Sequence, residues 1–136
     1  MDRRTFLISA AASTLAAPAL ARSGEAYTPG LVAKKLAKGE TVFVDFYTDW
    51  CTTCARQQRI LSKLKSANPE YEKNISFVSV DWDVHSRSKL AKDLKIPRRS
   101  TLVVLSGDKE LGRIVAGTSE KDIKGLMDKA LKMAMA

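Results

Sequence analysis

Thr41-Val42-Phe43-Val44-Asp45-Phe46-Tyr47-Thr48-Asp49-Trp50-Cys51-Thr52-Thr53-Cys54 decides the architecture of this chain. From Thr41 to Tyr47 the residues are apolar on both faces of an extended chain, the pattern of a central strand covered on each side by helices. Asp45 interrupts that run, so its carboxylate is expected to be desolvated, which raises a carboxylate's pKa. From Cys51 to about Lys65, Ile60, Leu61 and Leu64 recur at helical spacing, and Asn68-Pro69 stops the helix. The only two cysteines in the chain therefore lie where a strand gives way to a helix. A thiolate there is stabilised by unpaired backbone N–H groups and the positive end of the helix dipole, so Cys51 is expected to be the more acidic and accessible thiol and the nucleophile. Cys54, three residues on, shares its helix face and can close a disulfide as the resolving thiol.

Other uses of the pair fit less well. A zinc site needs four ligands, and the single histidine, His85, lies far along the chain. Haem attachment needs a histidine directly after Cys54, where Ala55 stands. A structural staple across so short a loop would contribute roughly 2 kcal/mol, against about 3 for a fifteen-residue loop. Two buried, inert thiols are the blandest alternative, but a strand-to-helix junction is where an α/β sheet presents its functional edge.

Working outward, Leu31 to Ala37 reads as a short helix with Leu31, Val32 and Leu36 inward, ended by Gly39. Ile75 to Val80 is a second strand, and Arg87 to Leu94 a short helix stopping before Ile96-Pro97. Thr101 to Leu105 and Leu111 to Ala116 are strands joined through Ser106-Gly107-Asp108, a hairpin signal. The last helix runs from the candidate cap Ser119 to about Met133 and buries Ile123, Leu126, Met127, Ala130 and Leu131. Met127, Met133 and Met135 are read as core. The order of elements implies an α/β sandwich around a mixed sheet.

At the N-terminus, Asp2-Arg3-Arg4-Thr5-Phe6-Leu7 carries paired arginines ahead of an Ala-rich apolar stretch from Phe6 to Ala17. Ala19-Leu20-Ala21 supplies a small-x-small cleavage pattern, and the whole resembles a twin-arginine export signal cleaved after Ala21. The apolar run falls short of the ~20 residues that span a bilayer. Residues 1–21 are thus expected to be a signal peptide, 22–30 a short N-terminal segment and 31–136 a single domain, located in the oxidising periplasm. Lys and Arg total 23 against 15 Asp and Glu, a net charge of +8. The excess is dispersed through Lys34, Lys35, Lys38, Arg56, Arg59, Arg98 and Arg99, without interleaved aromatics. That distribution favours acidic partners over nucleic acid.

Two blocks then carry a family resemblance. Val42-Phe43-Val44-Asp45-Phe46-Tyr47-Thr48-Asp49-Trp50-Cys51-x-x-Cys54, and Thr101-Leu102-Val103-Val104-Leu105 followed by Gly107 and Gly117, together resemble the thioredoxin family over Thr28 to Leu131. The lead-in Tyr47-Thr48-Asp49-Trp50 is also similar to the periplasmic C-terminal domain of the membrane reductase that carries electrons outward from cytoplasmic thioredoxin. The resemblance implies a thioredoxin-like α/β fold, a central mixed β-sheet flanked by helices. It implies a thiol:disulfide oxidoreductase acting on protein thiol and disulfide clients, supplied by a membrane or periplasmic electron donor. The redox-active Cys51–Cys54 disulfide would serve without organic cofactor or metal, and the mature chain would have no membrane span. Asp45 would lie behind Cys54 as its proton acceptor and Trp50 would cover the dithiol. Arg99, Ser100 and Thr101 would stand beside the sulfurs as client-binding or supporting residues.

One departure is plain. Where the family keeps a cis-proline just before the residue matching Thr101, this chain has Ser100, and Pro97 comes three residues early. The Arg99–Ser100 bond must either adopt a cis form costing about 3 kcal/mol or relax to trans and reshape the client groove. In the family that proline also shields the dithiol from metals. Two rival readings therefore accompany the reductase: a metal- or iron–sulfur-binding protein using Cys51 and Cys54 across a dimer, and a partner-binding module without turnover.

Overall fold

A strand apolar on both faces needs a neighbour on each edge and a layer on each side, and the computed structural model, which describes residues 24–136, provides all four. The expected signal segment, 1–21, lies outside the described residues. In chain order the elements are β1 (Glu25–Ala26), α1 (Leu31–Ala37), β2 (Thr41–Tyr47), α2 (Thr52–Ala67), α3 (Glu70–Asn74), β3 (Ile75–Asp81), α4 (Trp82–His85), α5 (Lys89–Leu94), β4 (Thr101–Ser106), β5 (Lys109–Val115) and α6 (Glu120–Ala134). They form a mixed five-stranded sheet in the order β1-β3-β2-β4-β5, flanked by helices. β2 runs parallel to β3 and antiparallel to β4, so it is central as expected.

Alternation along β2 sorts its side chains onto two cores. Val42, Val44 and Phe46 join Val78, Val80 and Val103 beneath α1 and α5, where Val32, Ala91 and Ile96 close the layer. Phe43, Leu102 and Val104 face the opposite side and meet Leu61 and Leu64 of α2, Tyr71 of α3, and Ile123, Met127 and Ala130 of α6. Asp45 shares the parity of Phe43, which directs it to the α2 side, and it is 7% exposed. The same pairing places the site. Because β4 is antiparallel to β2, with Phe46 opposite Thr101, the loop before β4 comes to the sheet edge where β2 ends and α2 begins.

Several local expectations need correction. α2 starts at Thr52, with Cys51 as its cap rather than its first residue. Arg87 is not helical: Ser88 caps α5 by accepting the Ala91 amide at 3.1 Å. Three elements escaped the sequence reading. α3 begins directly after Pro69, where Asn68 Oδ1 accepts the Glu70 amide at 3.1 Å. α4 begins where Asp81 Oδ1 accepts the Asp83 amide at 3.0 Å. β1 falls in the segment 22–30, expected to precede the domain, yet it pairs with Val78 and Ser79 of β3, and Tyr27 enters the core. Met127 is fully buried, but Met133 and Met135 are 41% and 61% exposed and do not belong to the core. Ser119 caps α6 as expected, accepting the Asp122 amide at 3.2 Å. Among the described residues no helix is long and apolar enough to cross a membrane.

Candidate active site

Cys51 caps α2 with an extended backbone (φ −89°, ψ 117°), and its Sγ accepts the Cys54 amide at 3.2 Å. That is the side-chain capping bond of a helix start, made here by sulfur. Both cysteines are free thiols. They are also both buried, 5% exposed for Cys51 and 2% for Cys54, so the expected difference in access is slight. What separates them is electrostatics. Burial pushes the Cys51 thiol up, but hydrogen bonds from the Cys54 thiol, the Ser100 hydroxyl, the Cys54 amide and the Arg99 guanidinium outweigh it and bring Cys51 down to about 6. Cys54 is pushed up, first by burial and then by its hydrogen bond to Cys51; Ser100 and the Thr48 backbone offset this in part.

The loop before β4 supplies the other wall. Ser100 is fully buried, and its Oγ lies 3.2 Å from Cys51 Sγ and 3.0 Å from Cys54 Sγ. Among the described residues no peptide bond is cis, so Arg99–Ser100 has relaxed to trans, and Ser100 takes a left-handed φ of 65°. Thr101 does not reach for the sulfurs; it is buried and its hydroxyl donates to the Arg98 carbonyl at 2.7 Å, bracing the turn. Arg99 stacks on the Trp50 ring, its Cζ 4.2 Å from the ring centroid. The Trp50 indole, 61% exposed, donates to Asp83 Oδ2 at 2.9 Å, which fixes the ring to α4 at the rim of the site. The structure thus brings together Cys51, Cys54, Ser100, Arg99 and Trp50.

Asp45 belongs to the layer below, where it lines a small cavity with Phe43, Leu61, Lys65, Phe77 and Ser79. Lys65 is a residue the sequence reading missed: its side chain is 5% exposed, with Nζ 3.8 Å from Glu72 Oε2 and 3.8 Å from the Phe77 centroid. Burial pulls its pKa down to about 8, against the opposing pull of Glu72 and Asp45. Gln57 was missed as well. It is fully buried, and its Nε2 donates to the carbonyls of Ser100 at 3.0 Å and Gly117 at 2.9 Å, fastening the loop to α2. Gly117 has no room for a side chain, since a Cβ would come within 2.7 Å of Ile114 Cγ2. A signal for Gln57 and Lys65 existed: both lie at helical spacing from Cys54, Leu61 and Leu64, the inward stripe of α2. Among the described residues no group of three or more His, Cys, Asp or Glu is placed to hold a metal ion.

A paired dithiol with split acidities, at a helix start on the edge of a mixed α/β sheet, defines a redox protein of the thioredoxin fold. The chain belongs to the thioredoxin family: the family profile described as Thioredoxin matches residues 28–129. Among solved structures it is similar to Trxlp from Edwardsiella tarda EIB202, with 28% identity and a TM-score of 0.66 over 76% of this chain and 98% of that one. Mitochondrial thioredoxin 3 from Saccharomyces cerevisiae, in its oxidized form, is 28% identical with a TM-score of 0.61, covering 78% and 95% of the two chains. Thioredoxin from Trypanosoma brucei brucei, 18% identical with a TM-score of 0.65 over 87% and 99%, shares the fold.

Proposed function

We propose that this protein is a periplasmic thiol:disulfide oxidoreductase that reduces disulfides in protein clients through Cys51 and Cys54. The observation that carries the proposal is the split between the two thiols, one held near 6 and the other raised. At neutral pH only Cys51 is substantially ionised, so attack is assigned to one sulfur and the other is kept in reserve. The Cys51 thiolate attacks a client disulfide and releases one client sulfur. Cys54 then loses its proton, attacks Cys51 Sγ and releases the second. Two electrons pass to the client, and the dithiol becomes a disulfide. Asp45, buried on the α2 side of β2, is the proposed acceptor for the Cys54 proton. The chemistry needs no organic cofactor. The exposed Trp50 ring and the half-buried Arg99 stacked on it form the rim against which a client segment would lie, and the positive charge favours acidic segments. The paired arginines and apolar stretch of residues 1–21 support export, with a membrane or periplasmic donor returning electrons.

The test is reduction of a disulfide-bonded protein substrate by the full chain, alongside Cys51→Ser and Cys54→Ser variants. Cys51→Ser should abolish turnover, and Cys54→Ser should accumulate mixed disulfides through Cys51. Retention of the parent rate by Cys51→Ser would overturn the proposal. A reduction potential near about −270 mV would agree with a reductase, and one near about −120 mV would instead make it an oxidase. Fractionation of cells making the full chain tests the location.

A further inference from the structure

Ser100 combines three features that are costly unless its side chain is used. Its Oγ is enclosed with the two sulfurs and its residue has no exposed surface. Its φ of 65° is one that a glycine adopts freely and that a side chain resists. Its main chain is held on every polar atom. The amide donates to the Phe46 carbonyl at 2.7 Å, and the carbonyl accepts from the Ala116 amide at 2.8 Å and from Gln57 Nε2 at 3.0 Å. The backbone therefore cannot turn the hydroxyl away. A glycine would satisfy the same three bonds without strain, so the strained Cβ and hydroxyl are what this position retains.

A hydroxyl has one proton to donate and two lone pairs. With sulfurs at 3.2 and 3.0 Å it can donate to either, but only to one at a time. We propose that Ser100 is a catalytic residue whose hydroxyl donates in turn to the Cys51 thiolate before attack and to the Cys54 thiolate during resolution. This deepens the dithiol reading above and rests on it.

In the first step the negative charge is on Cys51, and the Ser100 proton points there. The Cys51 sulfur bonds to one client sulfur, the client S–S bond breaks, and the departing sulfur takes a proton from solvent. Cys51 in the mixed disulfide carries no charge and no longer competes for the donor. Rotation about the Cβ–Oγ bond then brings the same proton to Cys54, whose own proton has left to the acceptor. The Cys54 thiolate attacks Cys51 Sγ, and the bond from Cys51 to the client breaks. The second client sulfur leaves with the electron pair. The client gains two electrons and two protons, and the dithiol loses the same. Ser100 ends as it began. The other titratable or charged groups acting on Cys51 are Cys54 on α2 and Arg99 on the same loop, and both remain when Ser100 is changed.

The experiment uses the full chain and two variants, S100G and S100A. S100G removes the hydroxyl and the strain together, and S100A removes the hydroxyl and keeps the strain. Cys51 is titrated by its rate of alkylation against pH, and glutathione disulfide serves as probe, with acid-quenched samples weighed for the mixed disulfide on Cys51. A hydrogen bond to a charged group is worth a factor of about 10 to 100. Both variants should therefore raise the midpoint of Cys51 by about one unit or more and prolong the mixed disulfide by about tenfold or more. Values within about twofold of the parent in both variants overturn the proposal, and so does a change confined to S100G, which would trace the effect to the backbone. If the parent does not reduce glutathione disulfide and Cys54→Ser traps no mixed disulfide on Cys51, the oxidoreductase reading fails and the resolution step falls with it, while the Cys51 titration still decides whether Ser100 stabilises that thiolate.

Discussion

Replacing Lys65 by methionine should make this protein more stable, although it removes a side chain that interacts with two carboxylates. The Lys65 side chain is 5% exposed on the inward stripe of α2, and burial lowers its pKa from 10.5 to about 8. At about 1.4 kcal/mol per pH unit, that drop means that the fold disfavours the ammonium by about 3 kcal/mol relative to the neutral amine. Methionine matches the length of the stem and carries no charge. That figure already contains the attraction of Lys65 for Glu72 and Asp45, so the further cost of the substitution is the charge left on those partners. Glu72 is 57% exposed and its share is screened, but the buried Asp45 loses a neighbouring cation. The net expectation is a gain of about 1–2 kcal/mol near neutral pH.

The sign of the pH dependence gives a second, independent check. The folded-state pKa of Lys65 lies below its unfolded value, so below about 8 both states carry the proton and the full penalty is present. As pH rises through about 8 toward 10.5 the folded parent sheds its proton first and gains stability, and its deficit against Lys65→Met should close. Urea unfolding of the two proteins at neutral pH and again at roughly two units higher would measure both effects. A variant less stable than the parent by more than about 1 kcal/mol at neutral pH would show that the contacts with Asp45 and Glu72 outweigh desolvation. A gap that does not narrow with pH would remove Lys65 titration from the explanation.

Other consequences follow from the same geometry. The alkylation rate of the reduced protein should rise with pH about a midpoint near 6, where Cys51 ionises, and reactivity should be lost as pH falls through that value; a single midpoint near the ordinary thiol value of about 8.5 would contradict the assignment. Arg99→Ala removes a guanidinium that helps hold Cys51 down, though it contributes less than Cys54 or Ser100, so that midpoint should move up by less than in the Ser100 variants and client reduction should lose part of its salt dependence; an unchanged titration and salt response would place Arg99 outside the electrostatics of the site. Asp45→Asn keeps the shape of a buried residue and removes its basicity, so it should slow resolution of the mixed disulfide more than its formation. Quenched-flow measurement of the two steps decides this, and equal slowing of both would speak against a role in deprotonating Cys54.

Much of this architecture was legible because it is local. The run from Thr41 to Cys54 holds a buried strand, a turn and a helix cap in one continuous stretch, and its periodicity switches from two-sided burial to a helical stripe at the cysteines. α3 and α4 were missed because helices of 5 and 4 residues are too short to show a period; their signals are Asn68, whose side chain accepts the Glu70 amide ahead of α3, and the cap Asp81 of α4. Met133 and Met135 lie at the C-terminal end of α6, 41% and 61% exposed, outside the buried stripe of Ile123, Leu126, Met127 and Ala130. Gln57 and Lys65 were passed over for a different reason. A polar residue on an inward helical stripe reads from sequence as an interruption of the core, and only its partners show that it is held there.

Ser100 marks the limit of what spacing can tell. Its contacts with the sulfurs join residues 49 and 46 positions apart, and they exist because β4 returns antiparallel along β2 in the register that sets Thr101 opposite Phe46. The resemblance located the position but suggested a proline's geometry, and the structure has a different one. Proline fixes φ near about −65°, whereas the residue here sits at +65°. Proline has no amide proton, whereas the amide here donates to the Phe46 carbonyl at 2.7 Å and extends the β2–β4 ladder by one bond into the loop. A proline at position 100 would therefore break that bond and force Arg98 to Thr101 onto another path. The serine loop is thus a separate solution to closing the dithiol, in which a backbone bond to β2 fixes the loop and a hydroxyl faces the sulfurs.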